Sequence, residues 1–467
     1  MINIFEDYSK KNIGQTSLFV FFDYSPQIVE VIKQAENGIY DKNTKTWELP
    51  INKLAFLIDN LTPLDDINLN FMSGESSEAE LELSNDYITT PFEHQLEGIK
   101  WLINRNNGLL LDCPGLGKTL QVIYAAEELK KNKGIEHCFI VCGINTLKNN
   151  WKKEIEKHSK LDCIIIGERV NSRGKTVYAS IKDRAEQLYE PIKEFFIIIN
   201  VESLRDNTVI DAIRNSQNKF DMIVIDEVHK MKSPTSDQGK NLLKLAKVGK
   251  YHYGLTGTVL VNSPLDAYVP LKFIGKEKST YTNFKNFYCV INQVFGHQQI
   301  VGFKNIDMLK DELSDCSLRR TKDLLHLPPK IIVPEYLDLP DKQAKFYDNL
   351  QQGVIEEADR VNIKTTSLLG LVTRLRQATS CPSVLSTTVT DSVKLDRAID
   401  LVDEIISNDE KVIIFSSFKE PLYNLKSCLI GHNYKPLLCT GDQSDDEITK
   451  NINLFQADDS FKIMLCT

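Results

Sequence analysis

"LLLDCPGLGKTL", residues 109–120, decides the fold. An apolar run enters it, a Gly-Leu-Gly-Lys-Thr turn follows, and "KTLQVIYAAEELKK" continues from Lys118 with helical spacing. A strand, a glycine-rich turn and a helix start aim backbone N–H groups and the helix dipole at a bound phosphate. In such a loop Gly115 and Gly117 let the backbone approach closely, with Pro114, Leu116 and Leu120 completing the cradle. Lys118 would contact the β/γ-phosphates of ATP, and the Thr119 hydroxyl would help hold Mg2+. The common form of the loop is G-x-x-x-x-G-K-[ST], however, and Asp112 stands where its first glycine belongs.

From Tyr87 to about Lys272, amphipathic helices alternate with short, wholly apolar runs: "GLLLDC", "CFIVCG", "CIIIG", "FFIIIN" and "MIVIDE". Such runs between helical segments signal a parallel sheet covered on both faces. "MIVIDEVH" ends one of these strands with two acids side by side. Asp226 would hold the Mg2+, and Glu227 would orient and deprotonate an attacking water. Alone the pair is a weak signal. On the same sheet as the phosphate loop it is a strong one.

The whole chain sets wider bounds. Its 467 residues predict about three domains. Hydrophobic residues make up 42% and charged residues 26%, the balance of a soluble globular protein. No apolar run approaches the ~20 residues of a membrane span. "MINIFEDYSK" lacks the basic-then-apolar pattern of a secretory signal, so a cytoplasmic location and no membrane partner are expected. The ten cysteines are scattered with no C-x-x-C pair, and His137, Cys138 and Cys142 in "EHCFIVC" read as a buried strand rather than a metal site. The net charge is −8, but "DDINLNFMSGESSEAELELSND", residues 65–86, holds seven acids and no base, which leaves −1 for the rest. A local basic groove is therefore compatible with the acidic total. Lysine outnumbers arginine, as in AT-rich bacterial or viral genomes.

The ordered set of motifs resembles the Swi/Snf-type branch of the superfamily-two helicase-like ATPases, a family of DNA translocases. In that family the phosphate loop often reads D-E-x-G-x-G-K-T, so "DCPGLGKT" carries the family's acid at Asp112. "PFEHQLEGIKWL" resembles the family segment whose glutamine reads adenine, here Gln95. "FIVCGINTLKNNWKKEIEK" with Trp151, "IIINVESLRD" and "DEVHKMKS" follow in order. "GLTGTVLVNSPLDAY" resembles the segment that couples hydrolysis to movement, which implies coupling roles for His229, Thr256, Gly257 and Thr258. It departs at Val259, where proline is usual. "LRRTKDLLHLPPK", "LRQATSCPSVL", "SVKLDRAIDLV" and "KVIIFSSF" resemble markers of the second half, so the likeness covers residues 91–467.

The resemblance implies an α/β fold with two RecA-like lobes, the second incomplete here, and a DNA partner tracked through its phosphates. Motif position makes Asn145, Thr146, Ser203 and Lys232 the candidate DNA contacts. The run "KNNWKKEIEKHSK" alternates lysines with glutamates and fits a solvated helix face as well as a DNA-facing one. Arg319 and Arg320 fall in a segment that is structural or DNA-facing in the family. Upstream, "FDYSPQIVEVIKQAENGIYDKNTKTWELP" resembles the HepA-related (HARP) domain of annealing-type translocases through Tyr24, Tyr40, Asp41 and Trp47, although a small α+β module that only packs on the motor reads the same way.

The expected organisation is a HARP-like domain at 1–64, an acidic linker at 65–86, the first lobe at 87–275, helical insertions at 276–390 and a partial second lobe at 391–467. The family continues past a strand like "KIMLCT" into a helix that supplies arginine fingers, so a longer parent protein is expected. The expected function is ATP-driven movement on DNA. Two alternatives stay open: a restriction- or phage-type helicase, and an ATP-binding regulatory DNA clamp with little turnover.

Overall fold

The computed structural model describes residues 2–8, 16–22, 24–35, 38–41, 45–50, 53–65, 67–70, 81–84, 86–143, 145–170, 172, 176–258, 263–294, 297–325, 327–352 and 368–467. A seven-stranded sheet forms the centre of the site-bearing region. Its strands run in the order Ser317–Leu318, Asn107–Leu110, Tyr251–Leu255, Met222–Asp226, Cys138–Cys142, Phe196–Asn200 and Cys163–Ile165. Every pairing is parallel.

Side-chain alternation within the apolar runs splits the core in two. Leu109, Phe139, Val141, Ile197, Ile199, Ile223 and Ile225 pack on one face. Leu110, Cys138, Ile140, Phe196, Ile198, Met222 and Val224 pack on the other. A strand buried on both faces needs apolar residues at every position, which is why these runs lack the polar alternation of a half-exposed strand. Each such side chain contributes roughly 1.5–3 kcal/mol on burial.

Two strands of this sheet were not foreseen. Tyr251–Leu255, "YHYGL", is buried along its whole length. His252 is accommodated there because Asn107 and the Val248 carbonyl bond its two ring nitrogens. Ser317–Leu318 is too short to carry a pattern and joins the edge beside Leu109 and Leu110. Contacts accordingly group Met1–Leu327 as one unit and Pro328–Thr467 as another.

The N-terminal part is a five-stranded sheet in the order Ile39–Asp41, Thr46–Pro50, Thr16–Phe21, Ile2–Tyr8 and Ile67–Asn70, with helices Pro26–Gln34 and Leu54–Leu61. Ile67–Asn70 lies inside the stretch read as linker. Its I-N-L-N alternation is a strand signal that the acidic composition around it hides, and it pairs in parallel with Ile2–Tyr8. Residues 71–80 of that stretch lie outside the described residues.

In the second unit a three-stranded parallel sheet has the order Val412–Phe415, Ile463–Cys466, Leu437–Cys439, packed against helices Val393–Ser407 and Lys419–Gly431. Among the described residues no helix is long and apolar enough to cross a membrane.

Candidate nucleotide site

The loop between Asn107–Leu110 and helix Lys118–Lys133 sits at the carboxyl end of the sheet, where α/β folds bind ligands. Gly115 and Gly117 both have left-handed φ, +92° and +76°. Gly117 has a second constraint, since a Cβ there would lie 2.2 Å from Gln95 Nε2. The Lys118 ammonium donates to the Asp112 carbonyl over 2.7 Å, so it lies against the loop's own backbone. Thr119 follows in the first helical turn and is half-buried, while Leu116 and Leu120 are buried beneath the loop and Pro114 is exposed.

The adenine-reading candidate is adjacent. Gln95 accepts from the Phe92 N–H at 2.9 Å and donates to the Leu116 carbonyl at 3.4 Å. His94 Nε2 reaches the same carbonyl at 3.2 Å. Phe92 is 66% exposed and stacks on His94 with ring centroids 5.8 Å apart.

Strand Met222–Asp226 delivers the acids. Asp226 accepts from the Trp151 indole at 2.9 Å through Oδ2 and from the Glu227 N–H at 3.0 Å through Oδ1. Burial holds its carboxyl above the usual aspartate range, and the Trp151 bond and the charge of Lys118 pull it back down. Glu227 has φ +52°, the left-handed region that a non-glycine residue adopts at a cost. That turn points its carboxylate sideways to His229, 3.1 Å away.

His229 Nδ1 in turn meets Thr256 Oγ1 at 2.8 Å. The Thr256 hydroxyl donates to the Thr258 carbonyl and accepts from the Thr258 N–H, at 3.0 and 3.1 Å. The same ring nitrogen, His229 Nδ1, thus faces both the Glu227 carboxylate and the Thr256 hydroxyl. Gly257, in the same turn, lies close to the phosphate loop: a Cβ there would sit 3.0 Å from Pro114, a tight approach. Glu227, His229 and the Thr256–Thr258 turn are thus joined by direct contacts, Gln95 is joined to the phosphate loop at Leu116, and the Lys118 charge acts on Asp226. Val259 lies outside the described residues.

The four candidate DNA residues fare differently. Ser203 is fully buried, and its hydroxyl donates to Asn200 Oδ1 and accepts from Arg184, both at 2.7 Å. Fully buried, the hydroxyl is out of reach of a ligand at the surface. Lys232 pairs with Asp266 at 3.0 Å and remains partly exposed. Asn145 and Thr146 open helix Asn145–His158, and their side chains lie outside the described residues.

The unforeseen residue is Arg320. Asp112, the acid at the head of the loop, is completely buried and receives two bonds from the Arg320 guanidinium: Nε to Oδ1 at 3.0 Å and Nη2 to Oδ2 at 2.6 Å. Gln121 Nε2 adds a third at 3.1 Å. The sequence placed Arg320 in a segment that is structural or DNA-facing in the resembled family, without naming its partner. Nothing there connects it to a residue 208 positions away.

A parallel sheet with a phosphate loop after one strand and paired acids after another defines a nucleotide-binding α/β lobe. The family comparison is specific: residues 94–384 match the SNF2-related domain, and the chain belongs to that family. It is 28% identical over 388 residues to a protein of Mycoplasma pneumoniae named an uncharacterized ATP-dependent helicase, covering 80% of this chain and 34% of that protein. It is 27% identical over 340 residues to the ATP-dependent helicase FUN30 of Saccharomyces cerevisiae, covering 67% and 29%. A solved Sulfolobus solfataricus SWI2/SNF2 ATPase core in complex with dsDNA is 23% identical, with a TM-score of 0.43, covering 83% of this chain and 80% of that one. The chain spans about a third of the length of the curated relatives it matches.

Proposed function

We propose that the chain binds ATP with Mg2+ at this site, hydrolyses it, and couples turnover to movement along DNA. In this reading Gln95 selects adenine, and the loop from Pro114 to Leu120 holds the phosphates, with Lys118 on the β/γ pair. Thr119 and Asp226 would hold Mg2+, which would supply charge neutralisation at the phosphates. Glu227 orients and deprotonates the water. The single observation that carries the reading is the line of contacts from Glu227 through His229 to the Thr256–Thr258 turn, with Gly257 of that turn set beside Pro114 of the phosphate loop. Any change at the phosphates is felt by that turn, and through it by the acid that handles water.

DNA is the proposed track because the family motifs recur in order and a solved structure of the family holds dsDNA. Residues 87–275 would form the ATP lobe and 391–467 part of the second. Of the candidate DNA contacts, partly exposed Lys232 suits contact with phosphates better than buried Ser203 does. We also propose the N-terminal module as a DNA-contacting accessory. The 85%-exposed Tyr24 and the half-exposed Tyr40, packed on Trp47 at 5.2 Å, would stack on unpaired bases.

The test is steady-state ATP hydrolysis by the 467-residue chain without nucleic acid, with duplex DNA, with forked DNA and with RNA, beside Lys118→Ala. A Lys118-dependent rate that rises many-fold with DNA supports the reading. Nucleotide binding with no DNA-stimulated turnover favours the regulatory clamp, and turnover stimulated by RNA favours the restriction- or phage-type alternative. A preference for forks supports the role of the N-terminal module.

A further inference from the structure

Arg320 engages all three guanidinium nitrogens. Besides the two bonds to Asp112, Nη2 donates to Gln121 Oε1 at 2.8 Å and Nη1 donates to the His94 carbonyl. Glu97 lies 3.6 Å from Nη1. Only 9% of the side chain is exposed. Backbone bonds seat the segment itself, with the Leu111 N–H on the Leu318 carbonyl and the Cys113 N–H on the Arg320 carbonyl, at 2.7 and 3.0 Å.

The cluster joins three pieces of chain that the proposed function assigns to different parts of ATP. His94 precedes the adenine-reading Gln95. Asp112 heads the phosphate loop. Gln121 lies in the first turn of the helix after it, and its Nε2 also donates to the Leu116 carbonyl at 3.2 Å. That carbonyl is the one Gln95 and His94 reach from the other side. Space has been cleared for the arrangement: a Cβ at Gly98 would fall 1.8 Å from Gln121 Oε1 and 2.7 Å from Arg320 Nη2.

Stability alone is a poor reason for such a cluster. Desolvating an acid and a guanidinium offsets most of their attraction, and apolar residues of similar volume hold a core as well. A forked, bidentate pair supplies a fixed geometry that an apolar contact lacks.

We infer that Arg320 is a positioning residue for nucleotide binding: it locks the base-reading helix and the phosphate loop into one frame without touching the nucleotide. The inference rests on the proposed ATP site. It also explains why an acid stands at the loop's head, because a glycine at 112 would offer the guanidinium nothing to grip.

The test measures the Kd for MgATP of the 467-residue chain, by titration with a fluorescent ATP analogue, together with thermal unfolding and the ATP-to-GTP preference. Arg320→Lys keeps the charge and loses the fork, and Asp112→Asn keeps the shape and loses the charge. Both are expected to melt cooperatively, to weaken MgATP by about tenfold or more, and to narrow the ATP-to-GTP preference. The double variant is expected to bind no worse than the weaker single one, as partners in one network do. Wild-type affinity and base preference in folded Arg320→Lys and Asp112→Asn would overturn the inference. If Arg320→Lys does not fold, Gln121→Met, which removes no charge, is read in its place: a raised Kd supports the inference and an unchanged one overturns it. If the wild type and Lys118→Ala bind MgATP equally badly or equally well, the ATP site itself is what fails.

Discussion

Trp151 donates its indole N–H to Asp226 Oδ2 over 2.9 Å, joining helix Asn145–His158 to the end of strand Met222–Asp226. The indole is buried, and its bond leaves the other carboxylate oxygen, Oδ1, turned toward the Glu227 N–H. A metal-holding carboxylate needs a fixed orientation, and outer partners of this kind supply it. Trp151→Phe should therefore raise the Mg2+ concentration needed for half-maximal ATP hydrolysis by about tenfold, the scale seen when such partners are removed. A Mg2+ titration at saturating ATP checks this. An unchanged requirement with a lowered Tm would make Trp151 a packing residue only.

Thr256 links His229 to the Thr258 backbone and is fully buried. Thr256→Val preserves shape and removes the hydroxyl. We expect nucleotide affinity to stay within a factor of three or so while turnover drops about tenfold, on the scale of one hydrogen bond of about 1–1.5 kcal/mol. Parallel measurement of Kd and kcat separates the two.

Ser203 offers a contrast between motif position and geometry. With its hydroxyl bonded to Asn200 and Arg184 inside the lobe, Ser203→Ala should lower stability by about 1–3 kcal/mol. DNA affinity at fixed salt should be unaltered. Denaturant unfolding and a DNA-binding isotherm on the same variant test both halves.

Glu312 predicts a pH dependence. Burial, reinforced by the charge of Glu277, raises its carboxyl to about 7, with the Tyr288 hydroxyl opposing from 3.2 Å. The folded state then holds a proton that the unfolded chain releases near 4.5. Stability from this group is complete below about 4.5 and lost as pH rises through about 7. Glu312→Gln should flatten that decline and stabilise the protein at pH near 8 by on the order of 2 kcal/mol. Melting curves across this range check the sign. A variant that steepens the decline would contradict it.

The parallel sheet was legible because strands buried on both faces leave an unmistakable record, as "FIIIN" and "MIVID" do. "YHYGL" escaped because a histidine and a glycine break the apolar run, and the bonds that make His252 acceptable come from Asn107 and Val248. Lys118, Asp226 and Glu227 could be named because their chemistry is local to a strand end. The partners that orient them could not. Trp151 stands 75 positions from Asp226, and Arg320 stands 208 from Asp112, so only the fold brings them together. Ile67–Asn70 was hidden differently, by acidic neighbours that give a strand the composition of a linker.

The loop around Lys118, with the charge of Lys118 acting on Asp226, forms the proposed ATP site. Equilibrium binding of MgATP to the 467-residue chain tests it most directly, beside Lys118→Ala and Asp226→Asn. Saturable binding is expected in the wild type, abolished in Lys118→Ala and without Mg2+ dependence in Asp226→Asn. Binding of equal strength in all three proteins, or none in the wild type, would contradict it.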